Sequence, residues 1–425
     1  MKAIKNLVQA WSVPEIRKKL LFTAAILAIF RLVAHIPASG VDRAALANLF
    51  SQSPFLSLLD IFSGGTLANF SVLALGLGPY INASIIMQLM TMAVPKLEEL
   101  SKEGESGRTI INHYTRLLTL PLAGMQASGM YFLLRSQGIV EFLSPVDMGA
   151  LVVTMAAGTI FAMWLGEIIT EHGIGNGISL LIFAGIVGRL PVVAGQLFST
   201  VAQEELFTYL SFLGVALVVI GGVVMINEAT RRIPVQYARR AARGGVVSQS
   251  THLPLRLNQA GVIPIIFAIS LVLAPSMIGQ FLSGVPNPDI VRFAQTFSTL
   301  FTPNGALYNT VYFLLVVGFT FFYTAVVFNP TKISDEIKKH GGFIPGIRPG
   351  GQTASYLNYI LTRITLAGGI FLGAIAVLPS IVQGFTGITT LALGGTGLLI
   401  VVSVVLETTK KIEAQLVMRN YDKFL

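Results

Sequence analysis

The side chains that could do chemistry are few and scattered. His35, His113, His172, His252 and His340 stand far apart, and none belongs to an H-E-x-x-H pair that would turn two imidazoles toward one zinc ion. The chain has no cysteine, which excludes disulfides and thiolate metal sites. Gly173, Gly175 and Gly177 have a spacing that could cradle phosphate, but no strand pattern precedes them and no Gly-Lys dipeptide occurs. They read instead as a tight turn that closes one helix and opens the next. Catalysis or ion coupling within lipid would need ionisable groups at depth, where charge is costly and rarely kept without a use. Arg31 lies inside an apolar run yet near enough to its end to snorkel, Glu167 and Glu228 sit at run ends, and Arg363 and Glu407 lie at boundaries. These residues suggest no enzyme, no metal site and no cofactor.

The elements around them explain why. Ten apolar runs can be drawn, at roughly 20–36, 72–94, 117–134, 149–169, 178–195, 207–226, 260–282, 308–328, 361–379 and 391–406. Each is near the ~20 residues that a helix rising ~1.5 Å per residue needs to cross hydrocarbon. Charged residues are 12% of the chain, about half the share in soluble domains, and the mean hydropathy is +0.72. Lipid offers no partners to backbone polar groups, so uncharged runs must be helices, and strands alternating over ten residues, as a barrel requires, are absent. The expected fold is an all-α polytopic membrane protein.

Lysine and arginine set its orientation. Twenty-three of them fall in the N-terminus, the loops 95–116, 227–259 and 329–360, and the C-terminal tail, against four on the opposite side. Cytoplasmic loops retain such an excess, so both termini are expected in the cytoplasm. The net charge of +9 reads first as topology, and second as a surface for anionic lipid, acidic protein or RNA. Lys18 and Lys19 before the first run mimic a signal peptide, but nine runs follow, so this is expected to be an uncleaved first helix.

Ten spans split five and five, and an odd number per half inverts the second half relative to the first. The halves are drawn at 1–200 and 201–425. Between the first two spans, the stretch Phe55 to Phe62 is apolar, too short to cross, and broken by Ser63-Gly64-Gly65. It is either re-entrant or a hairpin on the membrane surface. The second span opens on Ala74-Leu75-Gly76-Leu77-Gly78-Pro79, an irregular start tolerable only where protein or a water-filled cavity surrounds it. The loops 227–259 and 329–360 are long, basic and rich in Pro and Gly; they are docking elements with shaped turns, or loops that merely enforce topology.

Several of these stretches together resemble the SecY family of bacterial and plastid protein-conducting channel subunits. Ser63-Gly64-Gly65 with Ala74-Leu75-Gly76 and Pro79 to Leu89 is similar to the family's plug and second helix. Gly173 to Ser179 is similar to the start of the fifth helix, and Arg231 to Ala238 and Pro345 to Gly350 to the loops after the sixth and eighth. Gly394-Gly395-Thr396 resembles the opening of the tenth. The resemblance spans the chain in the family's order. One departure is His172, where many relatives carry Arg.

The resemblance implies two inverted, pseudo-symmetric five-helix halves around an hourglass pore, with a short plug half-helix near 57–70 that includes Ile61, Phe62, Ser63, Gly64, Gly65 and Thr66. A pore ring would comprise Leu77, Ile81, Ile182, Ile186, Ile266 and Ile400. The i,i+4 spacing of the first two pairs puts each pair on one helix face, a pattern that packing alone also produces. An aliphatic constriction gates by dewetting and holds no passing chain. Gln88, Thr91 and Gln126 would lie at a lateral gate, as latch residues or as ordinary interhelical hydrogen bonds. Arg239, Arg240, Arg243 and Arg348 would dock a SecA-type motor ATPase or a translating ribosome, since guanidinium pairs bidentately with carboxylate or phosphate. Further partners implied are SecE and SecG subunits, signal peptides, nascent chains and membrane lipid. The expected location is the inner or plasma membrane, with the thylakoid membrane as the plastid alternative. A secondary transporter with inverted repeats is the competing reading, and it would need charged or ion-coordinating groups at mid-depth.

Overall fold

The computed structural model describes residues 11–38, 60, 65–67, 69–136, 140, 142–188, 206–240, 246–282, 288–301, 305–386 and 389–422. Its helices are α1 (Pro14–Val33), α2 (Gly78–Ala93), α3 (Pro95–Lys102), α4 (Glu105–Ser136), α5 (Pro145–His172), α6 (Gly177–Val187) and α7 (Leu206–Glu228). Strands β1 (Thr230–Arg240) and β2 (Val246–Arg256) follow, then α8 (Ile263–Leu282), α9 (Pro288–Leu300), α10 (Ala306–Val327), α11 (Pro330–Lys339), β3 (Gly342–Phe343), α12 (Gly351–Thr386) and α13 (Thr389–Asp422). Every apolar run contains a helix. Helices α4, α12 and α13 extend well past their runs, because a polar helical turn is as good outside lipid as inside it.

Local sequence accounts for most helix starts. Pro14, Pro79, Pro95, Pro145 and Pro330 occupy first turns, where the missing N–H costs nothing. Ser144, Asn176 and Asn329 cap α5, α6 and α11 by accepting from backbone N–H groups of the first turn. Judged by length and hydropathy alone, three described helical stretches suffice to cross a membrane: Pro145–His172, Ala306–Lys339 and Gly351–Leu378. Gly177–Val187, Ala216–Glu228 and Ile263–Pro275 are apolar but shorter, and all pack among neighbours.

The first five spans pack mainly on each other, α2 on α4, α4 on α5, and α1 on α5 and α6. In the C-terminal part α10 packs on α8 and α12, and α13 on α7 and α12. The two sets meet chiefly along two seams, α6 against α13 on one and α2 with α4 against α8 on the other. Close approach relies on missing side chains. A Cβ on Gly158 of α5 would fall 2.0 Å from the Val72 carbonyl oxygen, and one on Gly177 would fall 1.9 Å from that of Gly166.

The sequence reading missed a sheet. The loops expected at 227–259 and 329–360 fold together into three antiparallel strands in the order β2-β1-β3, with Gln236 opposite Phe343 and Tyr237 opposite Gly342. Alternation along β1 turns Ile233 and Val235 inward, where they join Leu255, Ile337, Ile344, Leu357, Ile360 and Ile364 in a second apolar core. Pro234 pairs with His252 outside the short reach of β3, so its missing N–H disrupts no second ladder. Helix α11 joins this unit, and the Ser334 hydroxyl donates to the Gly350 carbonyl at 2.7 Å. The shaped turns expected in the second loop are present, with positive φ at Gly341, Gly346 and Gly350.

Ile233→Ala should remove about 2–5 kcal/mol from this small core. Limited proteolysis of the detergent-solubilised protein should show faster cleavage near residues 230–256, with the membrane helices still protected.

Candidate functional site

The irregular stretch before α2 is buried and internally bonded. Successive backbone bonds turn the chain: Ser71 N–H to the Thr66 carbonyl at 3.0 Å, Ala74 to Ser71 at 2.8 Å and Gly76 to Leu73 at 2.7 Å. The end of α1 contributes too, since Ala38 donates to the Phe70 carbonyl and Val72 to that of Ile36. The Thr66 hydroxyl donates to the Leu73 carbonyl at 2.7 Å, and Leu73 N–H donates to Ser71 Oγ at 3.1 Å. Positive φ at Gly65, Phe70 and Gly76 marks where the chain reverses. Of the six expected plug residues, Gly65 and Thr66 belong to this knot, while Ile61, Phe62, Ser63 and Gly64 lie outside the described residues.

Leu77 caps α2 and accepts from Ile81 N–H at 2.9 Å, so these two do form an i,i+4 pair. Ile182 and Ile186 lie on α6, Ile266 on α8 and Ile400 on α13. All six are between 0% and 8% exposed and belong to one apolar cluster, which also takes in Leu67, Phe70, Leu73 and Ala74. The six sit on four helices from both parts of the chain, within a core to which ten described helices contribute. Gly394-Gly395-Thr396 falls inside α13, which begins earlier, at Thr389.

The expected latch residues do not meet at one place. Gln88 Nε2 is 3.4 Å from Ser84 Oγ and Thr91 Oγ1 donates to the Gln88 carbonyl at 2.7 Å, both within α2. Gln88 Oε1 is buried with no hydrogen-bond partner among the described residues. Gln126 instead approaches Gly78, its Oε1 3.8 Å from where a Cβ would stand. Gly78 and Gln88 are ten residues apart, about 15 Å along the helix. Among the basic candidates, Arg348 is exposed, and its carbonyl accepts from Thr353 Oγ1 at 2.9 Å. Arg239 and Arg240 end β1 opposite Val247 and Val246, and Arg243 lies outside the described residues.

The charges near helix ends have partners. Glu167 pairs with Arg116 at 2.8 Å, tying α5 to α4, and Glu228 pairs with Lys410 at 2.8 Å, tying α7 to α13. Arg363 lies over the Tyr359 ring at 4.1 Å. Arg31, half-buried, donates from Nη2 to the Gly188 carbonyl at 2.7 Å, a contact with another helix that the sequence does not suggest. Among the described residues no cluster of His, Asp or Glu could hold a metal ion. The glycine turn is a helix junction, with Ile174 N–H donating to Thr23 Oγ1 and Gly177 N–H to Thr170 Oγ1.

A polar network that sequence reasoning missed anchors the start of α8. Asn258 donates to Asn227 Oδ1 at 2.8 Å and to the Gly261 carbonyl at 3.1 Å, and accepts from Gly261 N–H at 2.9 Å. Asn227 in turn donates to Ser403 Oγ at 3.1 Å, and its carbonyl takes Lys410 Nζ at 3.0 Å. The start of α8 is thereby joined, through Asn227 of α7, to the middle of α13. The Asn258-Gln259-Ala260-Gly261 turn was the available signal.

The family model described as SecY matches residues 71–409. The protein translocase subunit SecY of Streptomyces scabiei is 44% identical over 437 residues, 98% of each chain. That of Mycobacterium tuberculosis (strain ATCC 25618 / H37Rv) is 44% identical over 434 residues, 97% of each. A solved protein-conducting channel matches with a TM-score of 0.66 at 21% identity, over 93% of this chain and 91% of the other. Sec61 in the canine ribosome-channel complex matches with a TM-score of 0.63 at 20% identity, over the same shares.

Asn258→Ala would strip partners from Asn227 Oδ1 and from both backbone groups of Gly261, inside a site only 5% exposed at Asn258. The expected cost is about 2–4 kcal/mol, read as a lowered thermal midpoint in detergent.

Proposed function

This chain belongs to the SecY family of protein translocase subunits, and from that premise we propose how it conducts polypeptides and which residues seal it. The protein is a multi-pass helical membrane protein and a channel component rather than an enzyme. Its two halves are residues 1–200 and 201–425, and unfolded chains pass between them. The closed pore is sealed by Leu77, Ile81, Ile182, Ile186, Ile266 and Ile400, with a plug near 57–70 seated against them. What supports this reading is that all six, from four helices of both parts of the chain, are buried in the main apolar core beside Leu67, Phe70 and Leu73 from the turns before α2. Such a cluster excludes water and ions without offering hydrogen bonds that would stall a passing backbone.

Hydrophobic segments leave sideways along the seam of α2 and α4 against α8, which opens when a signal helix buries its apolar face there. The principal contacts across that seam are confined to α8, which supports the choice. Gln88, with a buried unpartnered oxygen beside this seam, is the preferred polar gate residue, and Thr91 and Gln126 flank it at separate levels. The sheet unit with Arg239, Arg240, Arg243 and Arg348 is the docking platform for a SecA-type motor or a ribosome. Its own apolar core supports that role, since a rigid unit can transmit force to α8 and α12. SecE and SecG complete the complex, in the inner or plasma membrane, with both termini in the cytoplasm. The relatives and structures described above are translocase subunits and channels rather than solute transporters.

Reconstitution in vesicles with SecE and the motor tests this directly: ATP-driven import of a secretory precursor is expected, and uptake of small solutes with import absent would refute it. In the same vesicles Ile400→Asn should raise resting ion conductance several-fold, whereas Leu77→Ile should lower it, since a β-branched side chain is stiffer. Arg348→Glu should slow import on the order of tenfold, with Arg348→Lys intermediate.

A further inference from the structure

Helix α6 has 11 residues, carries Ile182 and Ile186, and has no basic residue in its last turn. The final carbonyls of any helix lack donors within it and form the negative end of its dipole. One donor to them comes from another helix. Arg31 of α1, 157 positions away in sequence, donates from Nη2 to the carbonyl of Gly188, the residue that ends α6, at 2.7 Å.

The fit is close. A Cβ built on Gly188 would lie 2.4 Å from both Cζ and Nη2 of Arg31 and 2.7 Å from Nε, so the guanidinium occupies the space a side chain would fill. Gly188 has φ −65° and ψ −16°, ordinary right-handed helical values that any residue adopts. Glycine is therefore required there for room rather than for backbone freedom. The turn that bears Arg31 is itself fastened, since His35 Nδ1 lies 2.7 Å from the Arg31 carbonyl oxygen. Arg31, half-buried, thus reaches across to a helix end two residues from Ile186.

We propose that Arg31 is a positioning residue of the channel, whose guanidinium caps α6 and thereby fixes the depth and rotation of Ile182 and Ile186. The proposal rests on the reading of those two residues as part of the seal, and its test separates the two. Arg31→Met, Arg31→Lys and Gly188→Ala are compared in the reconstituted complex, with Ile186→Asn as reference. Gly188→Ala keeps an allowed backbone and displaces only the flexible end of Arg31, so it removes the cap even where Arg31→Met does not assemble. Hydrogen exchange at the amides of residues 183–188 should rise on the order of tenfold in Gly188→Ala and Arg31→Met, and less in Arg31→Lys. Resting ion conductance should rise several-fold in the same order. Unchanged exchange in Gly188→Ala overturns the cap. Raised exchange with parental conductance, while Ile186→Asn leaks, overturns the positioning role and leaves the seal reading intact. A tight Ile186→Asn overturns the seal reading and, with it, the role assigned to Arg31.

Discussion

Backbone polar groups have no water to turn to inside a bilayer, and the structure is organised around that shortage. Regular helices meet it alone, but this protein also places non-helical chain and helix ends among its packed helices. The turns from Gly65 to Leu77 bond to themselves, to α1 and to the hydroxyls of Thr66 and Ser71. The α5–α6 junction borrows Thr23 and Thr170, and the start of α8 borrows Asn258. Each irregularity is tied to a neighbouring element, so local backbone accounting becomes tertiary coupling. The polar residues that remain at depth serve mainly as such connectors.

The apolar cluster follows from the same condition. A barrier that must block ions yet let a polypeptide slip cannot use polar side chains, because each would find partners on a passing backbone. Aliphatic residues from α2, α6, α8 and α13 are buried in one core together with residues of the turns before α2. On the α6–α13 side the two parts of the chain are clamped further by Ile16, Ile174 and Ile412, where the long extension of α13 meets α1 and the glycine turn. The opposite seam, α2 and α4 against α8, is lined by Ile81, Ile85, Tyr131, Ile269 and Val272 of the main apolar core.

Much of this was legible in the chain itself. Ten apolar runs and the bias of Lys and Arg gave the helices and their expected direction, and the glycine turn at 173–177 was readable because its sequence suits no other backbone. The sheet formed by the two basic loops was not read. Its strand signal, Ile233, Val235 and Tyr237 at alternate positions, is diluted by Arg231, Arg232 and Pro234, and its core comes from residues about 100 positions later. The bond of Arg31 to Gly188 was illegible for a related reason, since its partner is 157 residues away.

By itself the sequence determined the membrane as solvent and the helices that cross it. Those depend on composition and on periods of a few residues, which survive without knowledge of neighbours. Tertiary structure alone decided that the six aliphatic residues share one cluster, that the two basic loops form one sheet, that Gln88 and Gln126 stand at different levels, and that Arg31 ends a helix it does not belong to. All four are matters of distance between segments remote in sequence, and such distances are set by packing, which leaves no periodic trace in the chain.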